Sequence, residues 1–103
     1  MLVRGAKSSM SVKIEDVYRQ IKEIAKQNQV EKILLFGSRA RGDNKPRSDV
    51  DLAVRGGNIT CFSLDVDEEI PTLLMFDVVN LDSAVQPELL EEIARDGVIL
   101  YRR

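Results

Sequence analysis

The stretch of this sequence that decides the fold reads Gly37-Ser38-Arg39-Ala40-Arg41-Gly42-Asp43-Asn44-Lys45-Pro46-Arg47-Ser48-Asp49-Val50-Asp51. Before it, residues 32–36 form a short apolar run that we interpret as a buried strand. After it, residues 49–54 alternate polar and apolar side chains, which is the period of a second strand. A small-residue turn, a basic loop and two carboxylates on a strand together predict a metal-dependent phosphate site.

The paired carboxylates are the first half of that site. Asp49 and Asp51 are two residues apart, so on a strand both point to the same face. Two like charges at this spacing repel unless a cation lies between them, and Mg²⁺ held by carboxylates and substrate phosphates is a common solution. Asp77 lies within another apolar segment, where a carboxylate needs a strong reason. If the two strands are neighbours, three acids could hold two metal ions for an in-line displacement.

The small-residue turn and the basic loop are the second half. Gly37 lets the backbone approach a phosphate, and the Ser38 hydroxyl with the amides of the following turn can hold phosphate oxygens. Each feature alone has an ordinary structural interpretation, as a simple turn, a solvated strand edge or a salt-bridged carboxylate. Their joint spacing favours a site, with counter-charge for a triphosphate offered by Arg39, Arg41, Lys45 and Arg47.

The rest of the chain predicts a mixed arrangement of helices and strands. Ser11 is a plausible N-cap for an amphipathic helix of about 17 residues. A short helix capped by Ser63 and ending at residue 69, and a strand over residues 73–81, are predicted next. Pro87 suits the first turn of a last helix, and a strand over residues 98–101 completes the order. We expect residues 1–10 to be a disordered leader and residues 11–103 to form one domain.

Composition excludes several classes of function. The chain has 103 residues, and its lack of His excludes His-based triads and His-ligated zinc. It also lacks Trp and carries a net charge of −2, so we expect no tight direct binding of nucleic acid. The single Cys61 fits a reducing cytoplasm, and no apolar run approaches the roughly 20 residues of a membrane span.

Gly37-Ser38, ten residues, then Asp49-x-Asp51 resembles the signature of the DNA polymerase β-type nucleotidyltransferase superfamily. Within it, the chain is similar to the minimal nucleotidyltransferases, the MNT-type antitoxins encoded beside HEPN-domain toxins. The resemblance covers roughly residues 11–103. The other positions that match the pattern are Gly42, Ser48 and Asp77.

This resemblance implies an α/β (α+β) fold, a mixed β-sheet flanked by helices. It implies that Asp49, Asp51 and Asp77 are the catalytic and Mg²⁺-binding carboxylates, with Asp77 as general base or metal ligand. A hydroxyl would attack the α-phosphorus of ATP and release pyrophosphate. The acceptor in this family is thought to be a tyrosine of the partner HEPN toxin, which AMP transfer silences. The residues expected to bind the nucleotide are Gly37, Ser38, Arg39, Arg41 and Ser48.

Two other functions remain open at this point. The domain could neutralise a basic ribonuclease toxin by masking it, with a vestigial or regulatory site. It could instead modify a small molecule, although the chain has no residues for a second substrate domain. The segment between Gly56 and Leu73 also looks shorter than the family pattern suggests. Because the chain is so short, we expect a partner or self-association to complete the site.

Overall fold

A computed structural model describes residues 13–103 of the chain. The expected leader over residues 1–10 and the expected N-cap Ser11 lie outside this range. The elements, in chain order, are α1 (Ile14–Gln27), β1 (Lys32–Phe36), α2 (Ser38–Arg41), β2 (Val50–Arg55), α3 (Ile59–Glu69), β3 (Phe76–Asn80), α4 (Pro87–Asp96) and β4 (Val98–Arg102).

The four strands form one mixed sheet in the order β3-β2-β1-β4. β1 pairs antiparallel with both β2 and β4, whereas β2 pairs parallel with β3. A parallel pair needs a crossover connection, and α3 supplies it between β2 and β3. The expected mixed α/β fold is therefore confirmed. The topology also brings the end of β1 and the beginnings of β2 and β3 to the same edge of the sheet.

Helices cover both faces of the sheet because the strands carry apolar side chains on both faces. Val50, Leu52 and Val54 of β2 are fully buried and pack with α1 and α3 in the main core. The opposite face carries a smaller cluster in which Phe36 and Ala53 pack against Ile93 of α4. The predicted inward direction of Val50, Leu52 and Val54 is confirmed. The face that carries Asp51 is thus the face covered by α4.

Three predicted boundaries differ from the structure. α1 has 14 residues and begins after Lys13, whose side chain makes no capping hydrogen bond. α3 begins at Ile59, five residues before the predicted start, and its N-cap is Asn58 rather than Ser63. β3 is limited to Phe76–Asn80: before it, Leu73 and Met75 are exposed and Leu74 packs half-buried against the main core, so this part of the predicted strand is not in the sheet. The segment that seemed short therefore contains an 11-residue helix.

A helix that crosses a bilayer must be both long and apolar. No helix within residues 13–103 is both long enough and apolar enough to cross a bilayer.

Candidate active site

The carboxylates predicted from the sequence lie at one edge of the sheet. Asp51 is the register partner of Phe36 in β1 and of Asp77 in β3. Residues in register on neighbouring strands point to the same face, so Asp51 and Asp77 are cross-strand neighbours. Asp49 is exposed and lies in the loop just before β2, rather than on the strand as predicted. The predicted adjacency of the two strands is confirmed.

Gly37 follows β1 directly, and its backbone lies against this edge of the sheet. Its φ of 74° and ψ of −157° belong to a region that side-chain-bearing residues almost never adopt. A Cβ atom at this position would also overlap the Asp51 carboxylate, at Oδ2. The chain therefore needs glycine here for two reasons, and its backbone passes directly against a candidate catalytic group. Ser38, the next residue, begins α2 and is half-buried beside this edge.

Negative charge at this edge is not neutralised by the protein. Burial, followed by repulsion from Asp77 and then Asp49, raises the pKa of Asp51 to about 6. Glu92 of α4 raises the pKa further, whereas Arg41 lowers it. The dominant causes mean that ionised Asp51 is both partly desolvated and surrounded by other carboxylates. A cation bound at this edge would relieve that cost.

The carboxylates have the donor chemistry of a Mg²⁺ site, since hard divalent ions prefer oxygen ligands. Three nearby carboxylates raise the pKa of Asp51, and only Arg41 lowers it. A bound cation would therefore stabilise the ionised form of Asp51. Within residues 13–103, however, no three acidic, His or Cys side chains converge closely enough to hold one ion. The edge therefore matches a divalent cation in charge and donor type, with Asp51 at its centre.

Arg39 holds the basic loop in place. Its Nε and Nη2 atoms donate to the carbonyl oxygen of Ser48 at 3.1 and 3.0 Å, and Nη2 also donates to that of Pro46 at 3.1 Å. The Ser48 hydroxyl accepts a hydrogen bond from the backbone N–H of Lys45 at 2.9 Å. Arg39 and Ser48 thus fix the backbone that leads into Asp49. The predicted contacts of these two residues with a nucleotide stay a prediction.

Arg41 forms ion pairs with two carboxylates, one in the loop after α2 and one at the end of α4. Its guanidinium lies 3.2 Å from Asp43 Oδ2 and 3.3 Å from Asp96 Oδ2. Hydrogen bonds from Arg95 and then Arg41 lower the pKa of Asp96, although partial burial opposes them. Arg41 is close enough to Asp51 to affect its pKa, so the predicted counter-charge is at the site.

Sequence reasoning missed the contribution of α4 to this edge. Glu92 and Asp96 are four residues apart on this helix, so they lie on one of its faces. Asp96 is also an acidic residue in the last turn, where the helix dipole disfavours negative charge. That unfavourable position was the available signal that Asp96 has a cationic partner from elsewhere in the chain.

Comparison with known families decides the class of protein. The family model described as "Polymerase beta, Nucleotidyltransferase" matches residues 19–103, which include both halves of the site. The chain belongs to this family. The nucleotidyltransferase activity and fold expected from the sequence are therefore confirmed. A search of curated proteins finds no match.

Several solved structures share the fold. A toxin–antitoxin crystal structure with AMP-PNP matches with a TM-score of 0.65 and 24% identity, over 84% of this chain and 73% of that chain. A variant of the MntA-HpeT toxin–antitoxin matches with a TM-score of 0.62 and 25% identity, over 82% and 72%. A structure described as a minimal nucleotidyltransferase matches with a TM-score of 0.63 and 21% identity, over 82% and 90%.

Proposed function

We propose that this nucleotidyltransferase transfers AMP from ATP to a tyrosine hydroxyl of a HEPN-type toxin, with Mg²⁺, and thereby acts as its antitoxin. The observation that carries the proposal is the register pairing of Asp51 with Asp77 beside the Gly37 turn. Acidic ligands and a close backbone approach are the two features that an ATP–Mg²⁺ complex needs. The likeness to toxin–antitoxin structures, one of them with AMP-PNP, supports both the nucleotide and the partner.

The turn between β1 and α2 would bind the phosphates of the nucleotide. The first amides of a helix have no partner within the helix, so those of Ser38 and Arg39 are available donors. The Ser38 hydroxyl adds a further donor, and Gly37 leaves room for phosphate oxygens against the backbone. Arg41 supplies positive charge on the α4 side of the same edge. These groups would orient the leaving pyrophosphate away from the acceptor.

The carboxylates would hold the cation and the acceptor proton. Asp49 and Asp51 would be the principal Mg²⁺ ligands, with Asp77 beside them; the ion would neutralise phosphate charge and polarise the reacting oxygens. The acceptor oxygen forms a bond to the α-phosphorus while the bond to the β-phosphate oxygen breaks. The hydroxyl proton passes to Asp77, which is exposed and therefore reachable by a partner's side chain. Pyrophosphate leaves with the electron pair of the broken bond.

The open position of this edge favours a protein as the acceptor. Asp49 and Asp77 are both exposed, and within residues 13–103 no second domain covers them. An enzyme for small molecules would be expected to enclose its substrate in a pocket. A partner protein can instead supply the missing wall together with the acceptor hydroxyl. The active form of the enzyme would then be the complex with this partner. Its location would be the cytoplasm, where ATP is abundant.

Growth rescue separates catalysis from masking. The toxin that co-purifies with this chain is expressed with wild-type chain, with Asp51→Asn, or with Glu68→Gln, an exposed substitution on α3. We expect wild type and Glu68→Gln to restore growth and Asp51→Asn to fail, although all three bind the toxin. Full rescue by Asp51→Asn would show that masking is sufficient and would overturn the catalytic proposal. Transfer by the purified chain alone to a small hydroxyl compound would instead favour the small-molecule alternative.

A further inference from the structure

A group of basic side chains lies at the end of the sheet opposite the candidate active site. Lys32 begins β1, whereas Arg55 and Arg102 end β2 and β4. We call these three residues the basic row. Together with Arg103 and Glu31 they line a cavity of about 440 Å³. Neither the family signature nor the proposed reaction uses any of these residues.

The register of the strands places the three cations side by side. Lys32 is the direct partner of Arg55 in the β1–β2 pair and of Arg102 in the β1–β4 pair. Direct partners point to the same face, and neighbouring strands are about 4.8 Å apart. Like charges in this position destabilise a sheet. The arrangement therefore costs folding free energy unless something compensates the charge.

No carboxylate among residues 13–103 forms an ion pair with these cations. Among residues 13–103, each ion pair within 4 Å involves another cation, and none involves the basic row or Arg103. Glu31 is the one carboxylate that lines the cavity, but its side chain packs over Gly56 at the neighbouring turn. Its carboxylate is not within ion-pair distance of any of the four cations. The basic row thus keeps its positive charge in a chain whose net charge is −2.

From this placement we propose that the basic row is a second, non-catalytic site that binds a compact polyphosphate, namely two or three linked phosphoryl groups. Three cations in a row match consecutive phosphoryl groups, and Arg guanidinium binds phosphate oxygens in a bidentate manner. The cavity is an open depression whose volume falls in the range of small-ligand sites. Its lining contains no aromatic side chain to stack a base, so recognition rests on the phosphates.

This site is separate from the carboxylate edge. Arg55 is four positions after Asp51 in β2, which corresponds to roughly 13 Å along the strand. A ligand that contacts the basic row therefore does not reach the Gly37 turn with the same phosphate groups. The polyphosphate could be free, such as the pyrophosphate that nucleotidyl transfer releases, or it could be the triphosphate of a nucleotide. Both sources share the chemistry that the row would recognise.

The test uses the chain in buffer free of divalent ions, where the carboxylate edge repels anions. Binding of pyrophosphate, tripolyphosphate, ATP, monophosphate and a short single-stranded RNA without terminal phosphate is measured by calorimetry and by amide NMR shifts. The test variant carries Lys32→Gln and Arg102→Gln. The matched control carries Lys22→Gln and Lys26→Gln on the exposed face of α1, and so loses the same two charges. Thermal unfolding of both variants checks their folding, and removal of like charges should leave the test variant at least as stable as wild type.

We expect tripolyphosphate and ATP to bind with similar affinity, more tightly than monophosphate, with shifts centred on residues 32, 55 and 102. The test variant should lose about tenfold or more in affinity, and the control should retain it. Equal losses in both variants would overturn the proposal, because they would show general charge attraction only. Shifts centred on residues 37–41, or tighter binding of monophosphate, would also overturn it. Tighter binding of the RNA would assign the row to nucleic acid instead.

Discussion

At the scale of single residues, Gly37 is the position where the backbone lies directly against the Asp51 carboxylate. Its dihedral angles exclude other residues, and its missing Cβ makes room for the Asp51 carboxylate. Gly42 provides a contrast: its φ is 86°, but a Cβ there would meet nothing within 4 Å. A comparison of the two glycines thus separates the effect of backbone strain from the effect of contact with the Asp51 carboxylate.

We expect Gly37→Ala to lower the free energy of unfolding by about 3 kcal/mol, since strain and overlap with Asp51 add together. Gly42→Ala should cost only the strain, about 1 kcal/mol. Urea unfolding measures both, and AMP transfer should be lost in the first variant and retained in the second. Equal costs in unfolding would contradict the role assigned to the contact between Gly37 and Asp51.

Asp51 makes the stability of the metal-free protein dependent on pH. Its pKa is about 6 in the folded chain against 3.8 ordinarily, so between these values the folded state binds more protons than the unfolded state. The free energy of unfolding must therefore fall as pH rises through this window. Asp51→Asn carries no charge and should escape that fall.

The measurement is thermal unfolding with a chelator at pH 4 and at pH 8. Asp51→Asn should be more stable than wild type at pH 8, with a smaller difference at pH 4. Glu68→Gln, which removes one exposed charge from α3, should show no comparable change. A stability gain for Asp51→Asn that is the same at both pH values would show that burial and repulsion of the ionised Asp51 carboxylate do not destabilise the folded state.

Residue patterns predicted that the strands of Asp51 and Asp77 are neighbours, but not the full surroundings of these carboxylates. The spacing of Asp49 and Asp51 and the isolated position of Asp77 were readable because each breaks an apolar pattern. Asp96 and Glu92 were not readable as site neighbours, since acidic residues on an amphipathic helix usually face solvent. Only the packing of α4 onto the sheet, through Ile93, brings that helix to the carboxylate edge.

At the scale of elements, the loop between α2 and β2 is the part whose position controls the site. The sequence predicts its basic composition but not its conformation, because Arg39 turns back to bind the loop carbonyls. This observation changes what a substitution of Arg39 should do. A residue that binds ATP would mainly affect KM for ATP, whereas one that positions Asp49 would mainly affect kcat.

We expect Arg39→Gln to lower kcat for AMP transfer about tenfold, with a small change in KM for ATP, because a misplaced group reacts slowly. Arg39→Lys should restore part of the rate, and Arg47→Gln, an exposed cation of the same loop, should behave as wild type. Steady-state kinetics with varied ATP separates the two effects. A change confined to KM would return Arg39 to the nucleotide-binding role predicted from the sequence.

The start of α3 shows why one element was misplaced. Asn58 follows two glycines, a pattern typical of a turn, and the β-branched Ile59 and Thr60 after it do not favour a helix. In the structure, Asn58 Oδ1 accepts a hydrogen bond from the Cys61 N–H at 3.1 Å and caps the helix. β1, by contrast, was placed correctly because its apolar run is bounded by clear turn residues.

Substitution of the two candidate caps tests this assignment. Asn58→Ala should lower the free energy of unfolding by about 1 kcal/mol, the typical value of an N-cap. Ser63→Ala, at the cap predicted from the sequence, lies inside the helix and should change it by less than about 0.5 kcal/mol. Denaturant unfolding of both variants gives the comparison. The reverse order would mean that α3 begins at the later position.

At the scale of the whole molecule, the sheet carries opposite charges at its two ends. The carboxylates lie where β1 ends and β2 begins, and the basic row lies where β1 begins and β2 ends. The sequence predicted the number and type of strands, but strand order depends on long-range pairing that local patterns do not encode. The position of β4 beside β1 is what completes the basic row, and it became visible only in the structure.

Under the proposed function, the edge that carries Asp49, Asp51 and Asp77 transfers AMP to a partner protein. The decisive experiment is the intact mass of the protein that co-purifies with this chain, recorded before and after incubation with ATP and Mg²⁺. We expect a gain of whole AMP units that requires Mg²⁺ and disappears with Asp51→Asn. An unchanged mass at saturating ATP, in a complex that remains assembled, would overturn the proposed transfer.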